Sequence, residues 1–200
     1  MGELDDKVGM DNAREYFRRI ASSVEYVQRG GSVKVLQTCM NMVVTGNPGT
    51  GKTMLARLVA RYLHAFGVLP LDRFVEKNGL EMKGKFAGHT AHTVKEAIKD
   101  AMGGCLFLDE AYALAGDDTF SGEAIRTLLT EVENNRTGLM VVLAGYRDKM
   151  ARLMAADPGL PRRFPPGNML HLADYSPSEL AEICFRYARN EFEVGVARAM

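Results

Sequence analysis

The sequence carries no excess charge of either sign, because 25 lysines and arginines balance 25 aspartates and glutamates. A chain with zero net charge has no global electrostatic field that would attract nucleic acid or an acidic membrane surface. The composition therefore disfavours a nucleic-acid-binding function. The chain also lacks an apolar run long enough to span a bilayer, and it shows no signal peptide. We therefore expect an intracellular protein, cytoplasmic or organellar, with no membrane partner.

Cysteine is scarce as well. The three cysteines, Cys39, Cys105 and Cys184, are far apart, odd in number and include no C-x-x-C pair. This spacing supports neither a disulfide scaffold nor a zinc site. Two of the three stand in apolar surroundings, where we expect buried and unreactive thiols.

Short apolar segments alternate with amphipathic ones along the chain. The predicted strands are residues 40–46, 73–78, 105–110, 139–145 and 168–174. The predicted helices are residues 11–29, 53–67, 93–102, 122–134 and 176–192. Two of these helices begin with capping-box patterns, Thr93-x-x-Glu96 and Ser176-x-x-Glu179. The alternation predicts an α/β fold with a five-stranded, mainly parallel sheet flanked by helices.

The last predicted strand is followed by a helical pattern and by no further strand. We expect an α/β subdomain over residues 1–174 and the incomplete start of a small helical subdomain over residues 175–200. We therefore expect the chain to be one domain of a longer protein.

One motif carries specific chemistry. The segment GNPGTGKT, residues 46–53, matches the pattern G-x-x-x-x-G-K-[ST] and stands between a predicted strand and a predicted helix. Its glycines let successive backbone N–H groups point at phosphate oxygens, and the helix N-terminus adds positive charge. The residues expected to contact a nucleotide are Gly46, Asn47, Pro48, Gly49, Thr50, Gly51, Lys52, Thr53 and Met54. We expect Lys52 to bind the terminal phosphates and the Thr53 hydroxyl to ligate Mg²⁺.

A pair of carboxylates, Asp109 and Glu110, follows the apolar segment CLFL. Ligands bind at the carboxyl ends of strands in open α/β sheets, so this pair is expected to face the phosphate loop. Asp109 would then hold the Mg²⁺, and Glu110 would polarise a water for attack on the γ-phosphate of ATP. The alternative is that both carboxylates only end a strand in solvent. Beside a phosphate loop, a water-activating base favours hydrolysis over transfer to a small molecule.

The motifs occur in the order GNPGTGKT, FAGHT, GGCLFLDEAYAL, LAGYRDKM and DPGLPRRF. With this order and content the chain resembles the AAA+ ATPases, and among them the CbbX/CfxQ group that includes the stage V sporulation protein K relatives. The resemblance implies ATP/ADP and Mg²⁺ as cofactors. It also implies that the backbone of Val8 and Gly9 cradles adenine and that Ile183 closes over the base.

The same resemblance assigns further roles at the γ-phosphate. It places Tyr146 at the sensing position, which is usually Asn, Thr or Ser, and lets Asn78 restrain Glu110. It also makes Arg163, in preference to Arg162, an arginine finger that reaches the nucleotide of a neighbouring subunit. A shared active site implies a ring, and the family precedent is a hexamer. The alternative for the two arginines is a surface pair that follows a proline.

The resemblance also gives a role to the segment KGKFAGHT. Phe86, Ala87 and Gly88 fit the aromatic-hydrophobic-glycine loop that AAA+ rings project into their central pore to grip an extended polypeptide. Apolar contact of this kind binds many sequences weakly. The alternative is that Phe86 folds back onto the core.

Three classes of function remain open at this point. The first is a ring ATPase that remodels a protein substrate, and the second is a nucleotide-switched assembly module that does not translocate its partner. The third is a nucleic-acid motor, which the neutral charge and the aromatic loop disfavour. Intact Lys52, Asp109, Glu110 and Arg163 favour the first class, whereas Tyr146 favours the second.

Overall fold

A computed structural model describes residues 11–32, 34–37, 40–84, 89–116 and 118–192. Its centre is a five-stranded sheet with the strand order β2-β3-β4-β1-β5. The strands are β1 (Met42–Thr45), β2 (Phe74–Asn78), β3 (Cys105–Asp109), β4 (Met140–Gly145) and β5 (Met169–His171). All neighbouring strands pair in parallel, so the predicted α/β fold is confirmed and its sheet is wholly parallel.

The helices cover both faces of this sheet. They are α1 (Asp11–Gln28), α2 (Lys34–Gln37), α3 (Lys52–Ala65), α4 (His89–Ala101), α5 (Thr119–Asn134), α6 (Arg147–Ala156), α7 (Gly159–Arg163) and α8 (Pro177–Phe192). Short 3₁₀ helices occupy Gly79–Met82, Ala111–Leu114 and Pro166–Asn168. Among the described residues, no helix is both long and apolar enough to cross a membrane.

Two apolar layers hold the helices to the sheet. Phe107 and Val142 face the layer that is formed with α1 and α3, whereas their neighbours Leu106 and Val141 face the layer that is formed with α4 and α5. Every residue of β4 is buried. Strands buried on both faces read as continuous apolar runs, which is why the sequence revealed them without an alternating pattern.

The start of α4 differs from its prediction. The helix begins at His89, and the Thr93 hydroxyl donates back to the His89 carbonyl over 2.9 Å, so the predicted capping box at Thr93 is wrong. The extra turn is fixed by Thr90, which is fully buried and whose hydroxyl accepts the Gly84 N–H over 2.9 Å. A Cβ at Gly84 would lie 2.5 Å from the Thr90 nitrogen, so this approach requires glycine. The capping box at Ser176 and Glu179 is confirmed.

The start of α5 also lies earlier than predicted. Asp118 is its N-cap, and the carboxylate accepts the Ser121 N–H over 2.8 Å and the Ser121 hydroxyl over 2.7 Å. Lys83, one residue before Gly84, forms an ion pair with the same carboxylate over 3.3 Å. The cap therefore joins the N-terminus of α5 to the chain ahead of α4. Hydrogen bonds from Ser121, with a smaller effect of Lys83, lower the Asp118 pKa to about 2.

We expect Asp118→Ala to lower the thermal unfolding midpoint by roughly 2–4 °C at neutral pH, the usual effect of one lost cap in a domain of this size. Because the folded pKa lies below the unfolded value of 3.8, this stabilisation is complete above pH 4 and is lost as the pH falls towards 2. The midpoint difference between the two proteins should therefore shrink from pH 5 to pH 3 in calorimetry. Asp118→Asn keeps an acceptor and is the matched control; an equal loss in both variants would contradict a capping role.

Candidate active site

The phosphate-loop motif forms the connection between β1 and α3. Gly51, the residue before the helix, adopts φ 92° and ψ 20°, a left-handed conformation that glycine permits at little cost. The Lys52 ammonium donates to the carbonyls of Gly46, over 3.0 Å, and Asn47, over 2.8 Å. Lys52 therefore lies along the loop at the N-terminus of α3, where backbone N–H groups and the helix dipole favour an anion.

Residues that follow β5 hold this loop from outside. The Asn47 side-chain amide donates to both carboxylate oxygens of Asp174, over 2.9 and 2.8 Å. The Tyr175 hydroxyl donates to the Thr50 carbonyl over 3.2 Å, and the Thr50 hydroxyl donates to the Asn47 carbonyl over 2.8 Å. These contacts fix the loop to the segment that leads into α8.

A cavity of about 420 Å³ opens at the carboxyl ends of β1, β3 and β4. The residues that line it are Pro48, Gly49, Gly51, Lys52, Thr53, Met54, Asp109, Glu110, Tyr112, Gly145 and Tyr146. The structure thus brings most of the predicted loop residues together with both predicted carboxylates and Tyr146. Tyr112 and Gly145 line the same cavity and were not predicted from the sequence.

The backbone turns sharply where Glu110 leaves β3. Glu110 has φ 48° and ψ 35°, the one left-handed conformation of a non-glycine residue in the described part of the chain. Such backbone strain concentrates at functional sites. The turn starts the 3₁₀ helix Ala111–Leu114, so the Asp109 and Glu110 side chains leave the strand in different directions.

Both carboxylate oxygens of Glu110 have donors. The Tyr112 hydroxyl donates to Oε1 over 2.8 Å, and the Asn78 side-chain amide donates to Oε2 over 3.4 Å. Asn78 is in register with Asp109 on the neighbouring strand, which explains its proximity. The hydrogen bonds from Tyr112 and then Asn78, aided by the charge of Lys149, hold the pKa of Glu110 below its usual value. Glu110 is therefore ionised at neutral pH and can accept a proton.

Comparison with known proteins agrees with this geometry. The family model described as "ATPase family associated with various cellular activities (AAA)" matches residues 42–165, a span that contains the whole cavity. The chain belongs to this family. As a member it is an ATPase domain, and the predicted AAA+ resemblance is confirmed.

Curated relatives extend the match to nearly the whole domain. Stage V sporulation protein K of Bacillus subtilis is 36% identical over 190 residues, which are 92% of this chain and 58% of that protein. The protein CfxQ homolog of Cyanidium caldarium is 35% identical over 189 residues, which are 92% of this chain and 65% of that protein. The ESX-1 secretion system protein EccA1 of Mycobacterium tuberculosis is 37% identical over 188 residues, 90% of this chain but 32% of its own length. The AAA domain thus spans between a third and two thirds of these relatives.

A solved structure shows the same fold. The AAA domain of FIGL-1 in complex with ADP superimposes with a TM-score of 0.64 at 19% identity, covering 92% of this chain and 60% of that one. At this identity the likeness concerns the fold alone.

The predicted γ-phosphate sensor of the AAA domain, Tyr146, is part of an aromatic cluster. It immediately follows β4, and its ring centroid lies 5.9 Å from that of Tyr112. The Lys149 ammonium lies over both rings, 4.5 Å from the Tyr112 centroid and 5.1 Å from the Tyr146 centroid. Cation–π attraction of this kind favours the placement of the ammonium over both rings.

The predicted finger lies outside the cavity. Arg163 ends α7, where its Nε is 3.6 Å from the Glu133 carboxylate and one guanidinium nitrogen donates to the Gly159 carbonyl over 3.4 Å. Its Nε is buried, and no acceptor in the described part of the chain lies within hydrogen-bond distance of it. Arg162, in contrast, is exposed. Arg163 is thus only loosely satisfied by its own subunit.

Of the remaining predicted residues, Ile183 is half-buried on α8 and does not line the cavity. Cys105 is buried in β3, whereas Cys184 is exposed. Val8, Gly9, Cys39 and the segment Phe86, Ala87 and Gly88 lie outside the described residues.

Proposed function

We propose that this AAA domain hydrolyses Mg-ATP within a ring and that hydrolysis drives the remodelling of a protein substrate. The observation that carries the proposal is the cavity that joins the phosphate loop, Asp109 and an ionised Glu110. A phosphate cradle and a general base in one cavity support attack of water on a phosphoanhydride.

The donors in the cavity fit a magnesium ion. The Thr53 hydroxyl and the Asp109 carboxylate both line it, and hard oxygen donors are those that Mg²⁺ prefers. When bound, the ion would neutralise charge on the β- and γ-phosphates. Lys52 would bind the same phosphates, while Val8, Gly9 and Ile183 would contact the adenine.

Within the domain, Glu110 would accept the proton of the attacking water while the backbone N–H groups of residues 46–54 orient the triphosphate. Tyr146, which lines the same cavity, would hydrogen-bond the γ-phosphate or its water through its hydroxyl. Glu110 and Tyr146 line the cavity from two different strand ends, so the reacting phosphate would lie between them.

The position of Arg163 supports a shared active site. It does not line the cavity of its own subunit, and its side chain is 26% exposed. A guanidinium placed in this way would serve a phosphate that a neighbouring subunit presents, and such a shared site would require a closed ring; we propose a hexamer.

The substrate is proposed to be a polypeptide gripped by Phe86, Ala87 and Gly88 in the pore. The described residues at its two ends are held to the fold, because the Gly84 N–H donates to the Thr90 hydroxyl and Lys83 is paired with Asp118. The zero net charge of the chain and the aromatic side chain of Phe86 favour a protein substrate over a nucleic-acid substrate.

ATP turnover measured against protein concentration tests this function. We expect turnover per subunit to rise with concentration and to increase further with an unfolded protein, while single-stranded DNA has no effect. Phe86→Ala should lose the response to unfolded protein, and Phe86→Tyr should keep it. Stimulation by DNA alone would favour a nucleic-acid motor. Turnover that responds to neither polymer would favour a nucleotide-switched module.

A further inference from the structure

We propose that Tyr112 is a positioning residue that anchors Oε1 of Glu110, so that Oε2 is the atom that takes the proton from the attacking water. The inference rests on the proposed ATP hydrolysis and concerns the same site. It assigns the two oxygens of the base different tasks.

The two hydrogen bonds to Glu110 differ in strength. The Tyr112 hydroxyl donates over 2.8 Å, a usual distance for an O–H···O bond, whereas the Asn78 amide donates over 3.4 Å, longer than most N–H···O bonds. Each carboxylate oxygen keeps a second lone pair for a proton, and the oxygen with the weaker hydrogen bond retains more of the negative charge. Oε2 is therefore the better proton acceptor, while the shorter bond holds Oε1 in place.

Packing keeps Tyr112 in place while this happens. Its 3₁₀ helix is anchored by Ala111 and Leu114, which are buried. Its ring lies against the end of β4, where a Cβ on Gly145 would approach the ring to 2.8 Å. Lys149 covers the ring from α6. Tyr112 is therefore held by its own 3₁₀ helix and by the end of β4, and neither contact requires a bound nucleotide.

The groups around Glu110 keep the Tyr112 hydroxyl as the donor of its hydrogen bond to Oε1. Burial and the nearby Glu110 raise the pKa of Tyr112 to about 12, so the phenol keeps its proton and donates. Besides Tyr112, the titratable groups that face Glu110 are Lys149 on α6, Asp109 on β3, and Lys52 and Tyr146 across the cavity. The Tyr112 hydrogen bond is also the shorter of the two that Glu110 accepts, so removing the hydroxyl leaves Oε1 without a fixed position.

Tyr112→Phe tests the assignment because it keeps the ring and removes only the donor. We expect kcat to fall roughly ten- to a hundred-fold, which is part of the contribution of a well-placed general base. The KM for ATP should stay within about threefold, since the phosphate contacts are untouched. The stoichiometry of nucleotide binding, measured on the same samples, should stay unchanged, so a fall in kcat at constant KM cannot be a loss of folded protein.

Tyr26→Phe, which removes a hydroxyl from an exposed tyrosine on α1, is the matched control and should leave all three quantities unchanged. An unchanged kcat in Tyr112→Phe would overturn the inference, provided that the parent protein hydrolyses ATP. An increase in kcat would overturn it too, because Tyr112 would then restrain the base. Absence of turnover in the parent protein would instead refute the proposed function.

Discussion

Glu110→Gln is expected to lower the ATP turnover number by roughly 10²- to 10⁴-fold, the usual contribution of a general base. The amide matches the carboxylate in size, and its oxygen can still accept the Tyr112 hydroxyl bond. It cannot take a proton from water at neutral pH, so the loss concerns the chemical step. Single-turnover hydrolysis of radiolabelled ATP would measure it directly.

ATP binding separates this effect from a folding defect. The affinity for ATP should persist in Glu110→Gln, because Lys52 and the loop N–H groups remain. The matched control is Glu96→Gln, a substitution on the exposed face of α4 outside the cavity. Near-normal turnover in Glu110→Gln would show that another group activates the water, and it would remove the basis of the roles given to both Tyr112 and Asn78.

Arg163→Ala is expected to reduce turnover in the assembled protein by roughly 10³- to 10⁵-fold, the range of known arginine fingers. The substitution removes a charge that lies outside the subunit's own cavity. Nucleotide affinity should therefore change little while the dependence of turnover on protein concentration disappears. Arg162→Ala, which alters the exposed neighbour on the same helix, is the control and should retain most activity.

Mixing two inactive variants gives the sharpest test of a shared site. In rings that contain both Glu110→Gln and Arg163→Ala subunits, some interfaces unite an intact Glu110 with an intact Arg163. Activity should therefore reappear on mixing, although neither variant is active alone. If mixing restores nothing and both variants still assemble, Arg163 serves its own subunit and the finger assignment is wrong.

The sheet and the cavity could be predicted largely from the sequence because their signals are local. Strands such as Cys105–Asp109 are continuous apolar runs, and the loop of residues 46–53 is a contiguous motif between a strand and a helix. Parallel topology then places the ends of β1, β3 and β4 side by side, which brings Asp109 and Glu110 to Lys52.

The features that were missed depend on distant contacts. The first turn of α4 forms because buried Thr90 meets Gly84, and the role of Tyr112 depends on the left-handed turn at Glu110 and on the space above Gly145. Helix α6 buries Met150, Leu153 and Met154 alone, too few apolar positions for a clear helical period. None of these determinants lies within one sequence window.

The contacts of Gly84 and Lys83 also determine where a force on the segment that follows them would enter the domain. The Gly84 N–H donates to the Thr90 hydroxyl in the first turn of α4, and Lys83 pairs with Asp118 at the N-terminus of α5. If Phe86 grips a polypeptide, a pull on it would therefore load the N-termini of two helices that pack on the same face of the sheet. The work done on a substrate would then pass to the sheet through α4 and α5, away from the nucleotide.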